Sequence, residues 1–220
     1  LGNMFTCPIC KESLQLNGKS LVCENNHCFD YAKQGYVNLL PVQQKKSLHP
    51  GDNKEMLLAR KNFLSNGHYL DKVASLIKEY CSSFDCYLDC GCGEGYYTCG
   101  IEERTNFANV IGTDIAKDAV RMCCSRSKDI NWAVATASHL PIKNNSVDAI
   151  TAIFSLLVPE EYSRVLKSGG IVVEVTAGNN HLIELKQQIY DTVFKQDKHQ
   201  KDVGDIFDTL YQGNIDFKLH

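Results

Sequence analysis

Residues 87–95 read Tyr-Leu-Asp-Cys-Gly-Cys-Gly-Glu-Gly. An apolar run ends in Asp89, and glycine then occupies every second position: Gly91, Gly93 and Gly95. Such a run is a strand entering a turn whose backbone must come close to something. A nicotinamide fingerprint needs its third glycine three residues after the second, where this chain has Tyr96. The spacing excludes a hydride carrier and fits S-adenosylmethionine (SAM). That cofactor's sulfonium and ammonium are positive, so an acid at the strand end suits it. Methyl transfer is therefore the first expectation.

The rest of the pattern agrees with that loop. Strands are expected near 86–90, 109–113, 131–135, 147–153 and 170–176, with helices near 95–104, 116–125, 159–167 and 179–194. Strands separated by helices predict an α/β fold, a parallel sheet with helices on both faces and the ligand beyond the carboxyl ends of the strands. Ahead of it, Met56, Leu57, Ala59, Phe63 and Leu64 share a face of a helix from Glu55 that ends near Asn66, and a second helix runs over 70–80. Residues 41–53 are polar, carry two prolines and a glycine, and read as linker. The expected organisation is a small zinc-binding domain at 1–40, linker and helix at 41–69, and a methyltransferase domain at 70–220. No apolar run approaches the ~20 residues of a membrane helix. Met4 is the expected native start, and nothing ahead of it resembles a secretory signal.

Eleven cysteines do not form a secreted disulfide framework here, because several flank the glycine loop and others cluster near the start. Reduced thiols in the cytoplasm are expected. Cys7-Pro8-Ile9-Cys10 is followed by Cys23, His27 and Cys28. A Cys-x2-Cys turn offers two sulfurs to one ion, and a second pair a dozen residues on completes a tetrahedron. Spacing leaves the fourth ligand open between His27 and Cys28. A segment this small lacks a sufficient apolar core, so structural zinc is expected to hold it. Chelation is then expected to unfold 1–40 and spare the rest. Residues 1–61 carry a net +3 and the remainder −6, a basic front suited to phosphates.

Asp114 ends the second strand of the methyltransferase pattern, where an acid binds ribose hydroxyls; it also fits a helix N-cap. Ser138 and His139 leave the third strand where the adenine edge should lie. Phe154 follows the fourth strand and is expected to pack in the core, with stacking on an extruded base as the alternative. Ser155 and Glu160 are the polar side chains nearest the acceptor, and no residue is assigned the catalytic proton transfer.

With the zinc motif and the donor loop together, the chain resembles the bacterial 23S rRNA (guanine-N1)-methyltransferases. The resemblance rests on Cys7-Pro8-Ile9-Cys10, His27-Cys28-Phe29-Asp30, Lys33 to Val42, Pro50-Gly51-Asp52, Gly67-His68-Tyr69, Asp89 to Thr98, and Thr176 to Leu185 around His181. It implies Zn²⁺ on Cys7, Cys10, Cys23 and His27, with Cys28 beside the site. It also implies SAM contacts from Tyr69, Tyr97, Thr98 and His181, a 23S rRNA hairpin as partner, and a homodimer. Lys33, Lys45, Lys46, Lys54, Arg60 and Lys61 would grip the RNA. The chain departs from the family at Ser168, in a shortened 153–159 segment, and in a short tail ending at Asn214–His220. Two other readings compete: a SAM-dependent methyltransferase of small molecules, and a non-catalytic zinc protein that binds RNA.

Overall fold

The computed structural model describes residues 4–44, 51–66, 69–189 and 203–216. Three short strands come first: β1 (Gln15–Asn17), β2 (Ser20–Val22) and β3 (Cys28–Asp30), paired antiparallel in that order. β4 (Tyr36–Asn38) follows, then α1 (Lys54–Leu64) and α2 (Leu70–Cys81). The alternating part runs β5 (Cys86–Cys90), α3 (Tyr96–Glu102), β6 (Asn109–Asp114), α4 (Lys117–Arg126), β7 (Asn131–Val134), β8 (Val147–Ile153), α5 (Pro159–Val165), β9 (Leu166–Val175) and α6 (Ile183–Ile189). The expected α/β alternation is present. β9 starts earlier than expected because Leu166 pairs with Val147 before a register shift. The 190–194 end of the expected last helix, and most of the expected tail strand, lie outside the described residues.

The large sheet is parallel throughout, in the order β4-β7-β6-β5-β8-β9. It has six strands where the sequence pattern suggested five. The sixth is β4, from the segment expected to belong to the zinc module, and its Tyr36 pairs with Trp132. Leu39 extends the junction by donating its N–H to the Val134 carbonyl at 2.9 Å.

Both faces of a parallel sheet are covered, so its strands read as continuous apolar runs. β5 is buried at all five positions. Tyr87, Val110, Trp132 and Ala149 face one layer, made by Leu70, Val73, Ala74 and Ile77 of α2 with Ile101 of α3 and Val120 of α4. Leu88, Ile111, Ala133 and Ile150 face the other, where Tyr162 and Val165 of α5 meet Phe5, Cys7, Leu14, Leu21 and Cys23. The small antiparallel sheet thus covers part of the large one, and its apolar residues join a common core. Met4 to Thr6 add an edge contact: Thr6 N–H donates to Pro141 O at 2.9 Å and Lys143 N–H to Met4 O at 3.1 Å. The expectation that chelation spares the rest of the chain therefore does not follow from this packing.

The centre of the sheet has little slack. Gly112 on β6 lies opposite Trp132, and a Cβ there would come within 2.1 Å of the indole. Gly112→Ala should destabilise the protein by about 1–3 kcal/mol through overpacking, read as a lower urea midpoint at unchanged slope.

Candidate metal centre and donor pocket

The Cys7–Cys10 turn and the Cys23–His27 loop lie at the same end of the small sheet, where Gln15, Val22 and Cys28 pair, which brings four donor atoms within 4.8 Å of one another. Cys7 Sγ and His27 Nδ1 are 3.5 Å apart, Cys23 Sγ and His27 Nδ1 3.4 Å, and Cys10 Sγ and Cys23 Sγ 3.6 Å. With Zn–S near 2.3 Å and Zn–N near 2.0 Å, tetrahedral edges come to roughly 3.5–3.8 Å, so the four residues fit a closed zinc site. Between the two candidates left open by spacing, direction favours His27. His27 turns in, while Cys28 is exposed and its thiol lies 3.8 Å from Asp30 Oδ1. The Asn25 side chain beside Cys10 lowers that thiol to about 6, favouring the thiolate a metal requires.

The second site forms at the carboxyl ends of β5, β6 and β8. Asp89 is buried, and its two oxygens accept from Thr98 Oγ1 at 2.5 Å and Thr151 Oγ1 at 2.8 Å. Burial pushes its carboxyl up to about 6, against the lowering effect of the two hydroxyls. Asp89 and Thr98 therefore point into the protein, and their hydrogen bonds tie α3 and β8 to the end of β5. Beyond Asp89 the loop folds back on β6. Gly91 and Cys92 both donate N–H to Thr113 O, at 2.8 and 3.0 Å, and Gly93 N–H donates to Asp114 Oδ2 at 2.9 Å. The other Asp114 oxygen accepts from Ala116 N–H at 2.8 Å, so Asp114 does serve the start of α4. Each oxygen still has a second lone pair for a ligand hydroxyl. Gly91 has φ +83°, and a Cβ there would strike Ser155 Cβ at 2.4 Å. The Ser155 hydroxyl is committed to Cys90 O at 2.6 Å, and Glu160 is exposed.

An aromatic group adjoins this loop. The Phe154 ring centroid lies 6.2 Å from Tyr69, 6.4 Å from Tyr97 and 6.0 Å from His181; Tyr69 and His181 are 6.2 Å apart. Tyr69 (φ +71°) and Phe154 (φ +53°) hold strained backbone, as does Leu182 (φ +53°) next to His181. Strain of this kind gathers where structure around a ligand over-determines it. Phe154 is 47% exposed and so is not the core residue expected from sequence. The Tyr97 hydroxyl is buried with no partner among the described groups. A turn with no room for a Cβ at Gly91, an orphaned hydroxyl, the Asp114 carboxylate and a patch of rings suit a cationic nucleoside such as SAM. Ser138 and His139 sit on a single 3-10 turn after β7, both exposed.

Sequence reasoning missed Glu94, which is buried and takes Arg126 through Nε at 2.6 Å and Nη2 at 2.5 Å. It also missed Thr151, whose partnership with Asp89 spans 62 residues. Neither leaves a local signal.

The comparisons with known proteins agree with both sites. A family model described as "RlmA, N-terminal", a zinc ribbon, matches residues 5–48, and one described as "Methyltransferase domain" matches residues 88–173. The chain is 34% identical over 197 residues to YxjB of Bacillus subtilis (strain 168), which carries the provisional name 23S rRNA (guanine-N(1)-)-methyltransferase; the match covers 86% of this chain and 69% of that protein. It is 32% identical over 185 residues to the 23S rRNA (guanine(748)-N(1))-methyltransferase of Streptomyces fradiae, covering 81% of this chain and 65% of the other. The chain spans about two thirds of the length of these relatives.

Two outcomes are expected. Cys10→Ser or Cys23→Ser should abolish zinc binding while Cys28→Ser keeps one ion per chain by metal assay, and chelation should lower the urea midpoint of the whole fold rather than release the ribbon alone. Asp89 should also shape stability against pH. Its folded pKa, about 6, exceeds the ordinary 3.8, so the folded state keeps its proton where the unfolded chain has lost it, and stability falls as pH rises between those values. Measured against Asp89→Asn, the wild type should lose about 2 kcal/mol from pH 4 to pH 7, at ~1.4 kcal/mol per pKa unit; parallel pH curves would refute this assignment.

Proposed function

Because the chain belongs to the family of 23S rRNA (guanine-N1)-methyltransferases, we propose that it methylates N1 of a guanine in a 23S rRNA hairpin, in the cytoplasm, from SAM. The observation that carries this reading is the joining of a zinc ribbon and a donor pocket through one core. A small-molecule methyltransferase has no need of a ribbon built into its sheet. A non-catalytic zinc protein has no need of the Asp114–Gly93 closure or of strained rings beside it.

SAM, when bound, supplies an electrophilic methyl group on a sulfonium. The protein's share is mainly position and orientation. Asp114 would hold the ribose hydroxyls, and Gly91 and Gly93 would let the backbone approach. Ser138 and His139 would border the adenine. The rings of Tyr69, Tyr97, Phe154 and His181 would attract the cationic sulfonium and exclude water. Asp89 and Thr98 act behind the pocket by fixing the loop and α3 in place. Phe154, exposed at the mouth, can stack on the acceptor guanine, which must leave its own stack to be reached. Guanine N1 is protonated at neutral pH, so its proton must be taken up as the bond to carbon forms.

The ribbon and its basic surroundings grip the hairpin, with phosphate contacts giving affinity and RNA shape giving selection. Lys33 and Lys54 belong to this surface; Lys45 and Lys46 lie outside the described residues. Incubation with labelled SAM and unmethylated 23S rRNA should place label on one guanine, blocked at N1 when mapped by reverse transcription; absence of label from rRNA would reject the reading. Replacing Lys45 and Lys46 by Gln should weaken RNA binding and reduce the slope of log K against log salt by up to ~2, without changing SAM binding.

A further inference from the structure

The donor pocket as described provides for an adenosine and a sulfonium, yet SAM also ends in an amino acid whose carboxylate needs a cation. The rim is acidic, with Asp114 and Asp52 near the loop. Arg126, on the far side of the loop, is already spent on the Glu94 carboxylate and carbonyl. Arg60 remains. It projects from α1, and its Nη1 lies 3.7 Å from where a Cβ on Gly93 would stand. Its charge acts to lower the pKa of both Asp114 and Tyr97, so it lies near both the ribose acid and the aromatic group.

The helix carrying it is fixed at both ends. Near its start Leu57 is buried against Ala116 and Ala119 of α4, and Asn53 Oδ1 caps it by accepting from Met56 N–H at 2.9 Å. Gly51 (φ +86°) presses so close to Ala116 that a Cβ would come within 2.6 Å of the alanine's own. At its end, Phe63 lies 6.2 Å from Tyr69. Arg60 is oriented by Asp52, 2.5 Å from its Nη1, and 46% of its side chain stays open. The Pro50-Gly51-Asp52 stretch, prominent in the sequence but unused so far, thus acquires a purpose: Gly51 seats the helix start and Asp52 aims the guanidinium.

We propose that Arg60 binds the carboxylate at the amino-acid end of the donor, with Asp52 as its positioning residue. This rests on the SAM-dependent reading above and moves Arg60 from the RNA-gripping set to the donor pocket. A guanidinium presents paired N–H groups that match a carboxylate, which lysine does not.

The test uses two neutral-sulfur probes, S-adenosylhomocysteine, which has the amino-acid end, and 5′-methylthioadenosine, which lacks it. Calorimetric affinities are measured for wild type, Arg60→Ala and Arg60→Lys. Arg60→Ala should weaken S-adenosylhomocysteine ~10-fold or more and leave 5′-methylthioadenosine unchanged, with Arg60→Lys between. Equal loss for both probes would mean that Arg60 only packs the helix, and would overturn the proposal. So would unchanged affinity for both, particularly with weakened RNA binding. If the wild type binds neither probe, the donor reading itself fails and takes this inference with it.

Discussion

The methyltransferase half depends on one buried carboxylate. Asp89 ends the central strand, and its two oxygens are taken by hydroxyls from α3 and from β8. Those bonds fix the directions in which the chain leaves β5 and β8, and hence the spacing between the glycine loop and Ser155. The burial that raises its pKa is the cost of this arrangement, and the two hydroxyls offset part of it. Asp114 does the same for the neighbouring strand with backbone donors. Two acids at successive strand ends, one facing inward and one at the rim, give the pocket a rigid floor that holds before any ligand arrives.

What could be read in the sequence was whatever had short range. The zinc quartet spans Cys7 to His27, and the glycine loop and the alternation of strands and helices are patterns of a few residues. The Lys33–Val42 stretch carries the family resemblance without a local physical reason, because its meaning is long-range: three of its residues form the edge strand against β7, and Leu39 and Leu40 are buried behind them. Phe154 was misjudged as core for a related reason. An apolar residue after a buried strand usually continues the core, but here a left-handed backbone swings the ring outward. The need for glycine at 91 was visible, yet Ser155, the neighbour that enforces it, lies 64 residues away.

The two modules are mechanically one. Cys7 and Cys23 contribute to the same apolar layer as Leu88 and Ile150, so the metal is anchored in the protein rather than in an appendage. The surface proposed to grip RNA is thereby referenced directly to the sheet whose strand ends carry the donor pocket. Rigid linkage of this sort fixes the distance between grip and chemistry, which a flexible tether would leave to chance.

Strand β4 also orders events in time. During synthesis the ribbon can close on its metal as soon as His27 is made, since all four ligands are local. Tyr36 has to wait for Trp132, 96 residues later, before it has its partner in the large sheet. Until then the apolar residues that will cover the sheet, Phe5, Leu14 and Leu21 among them, have nothing to cover. Contacts of such sequence separation close late. The zinc ion therefore acts as a holding device for the first-made part of the chain, keeping it compact until the sheet it completes has been made.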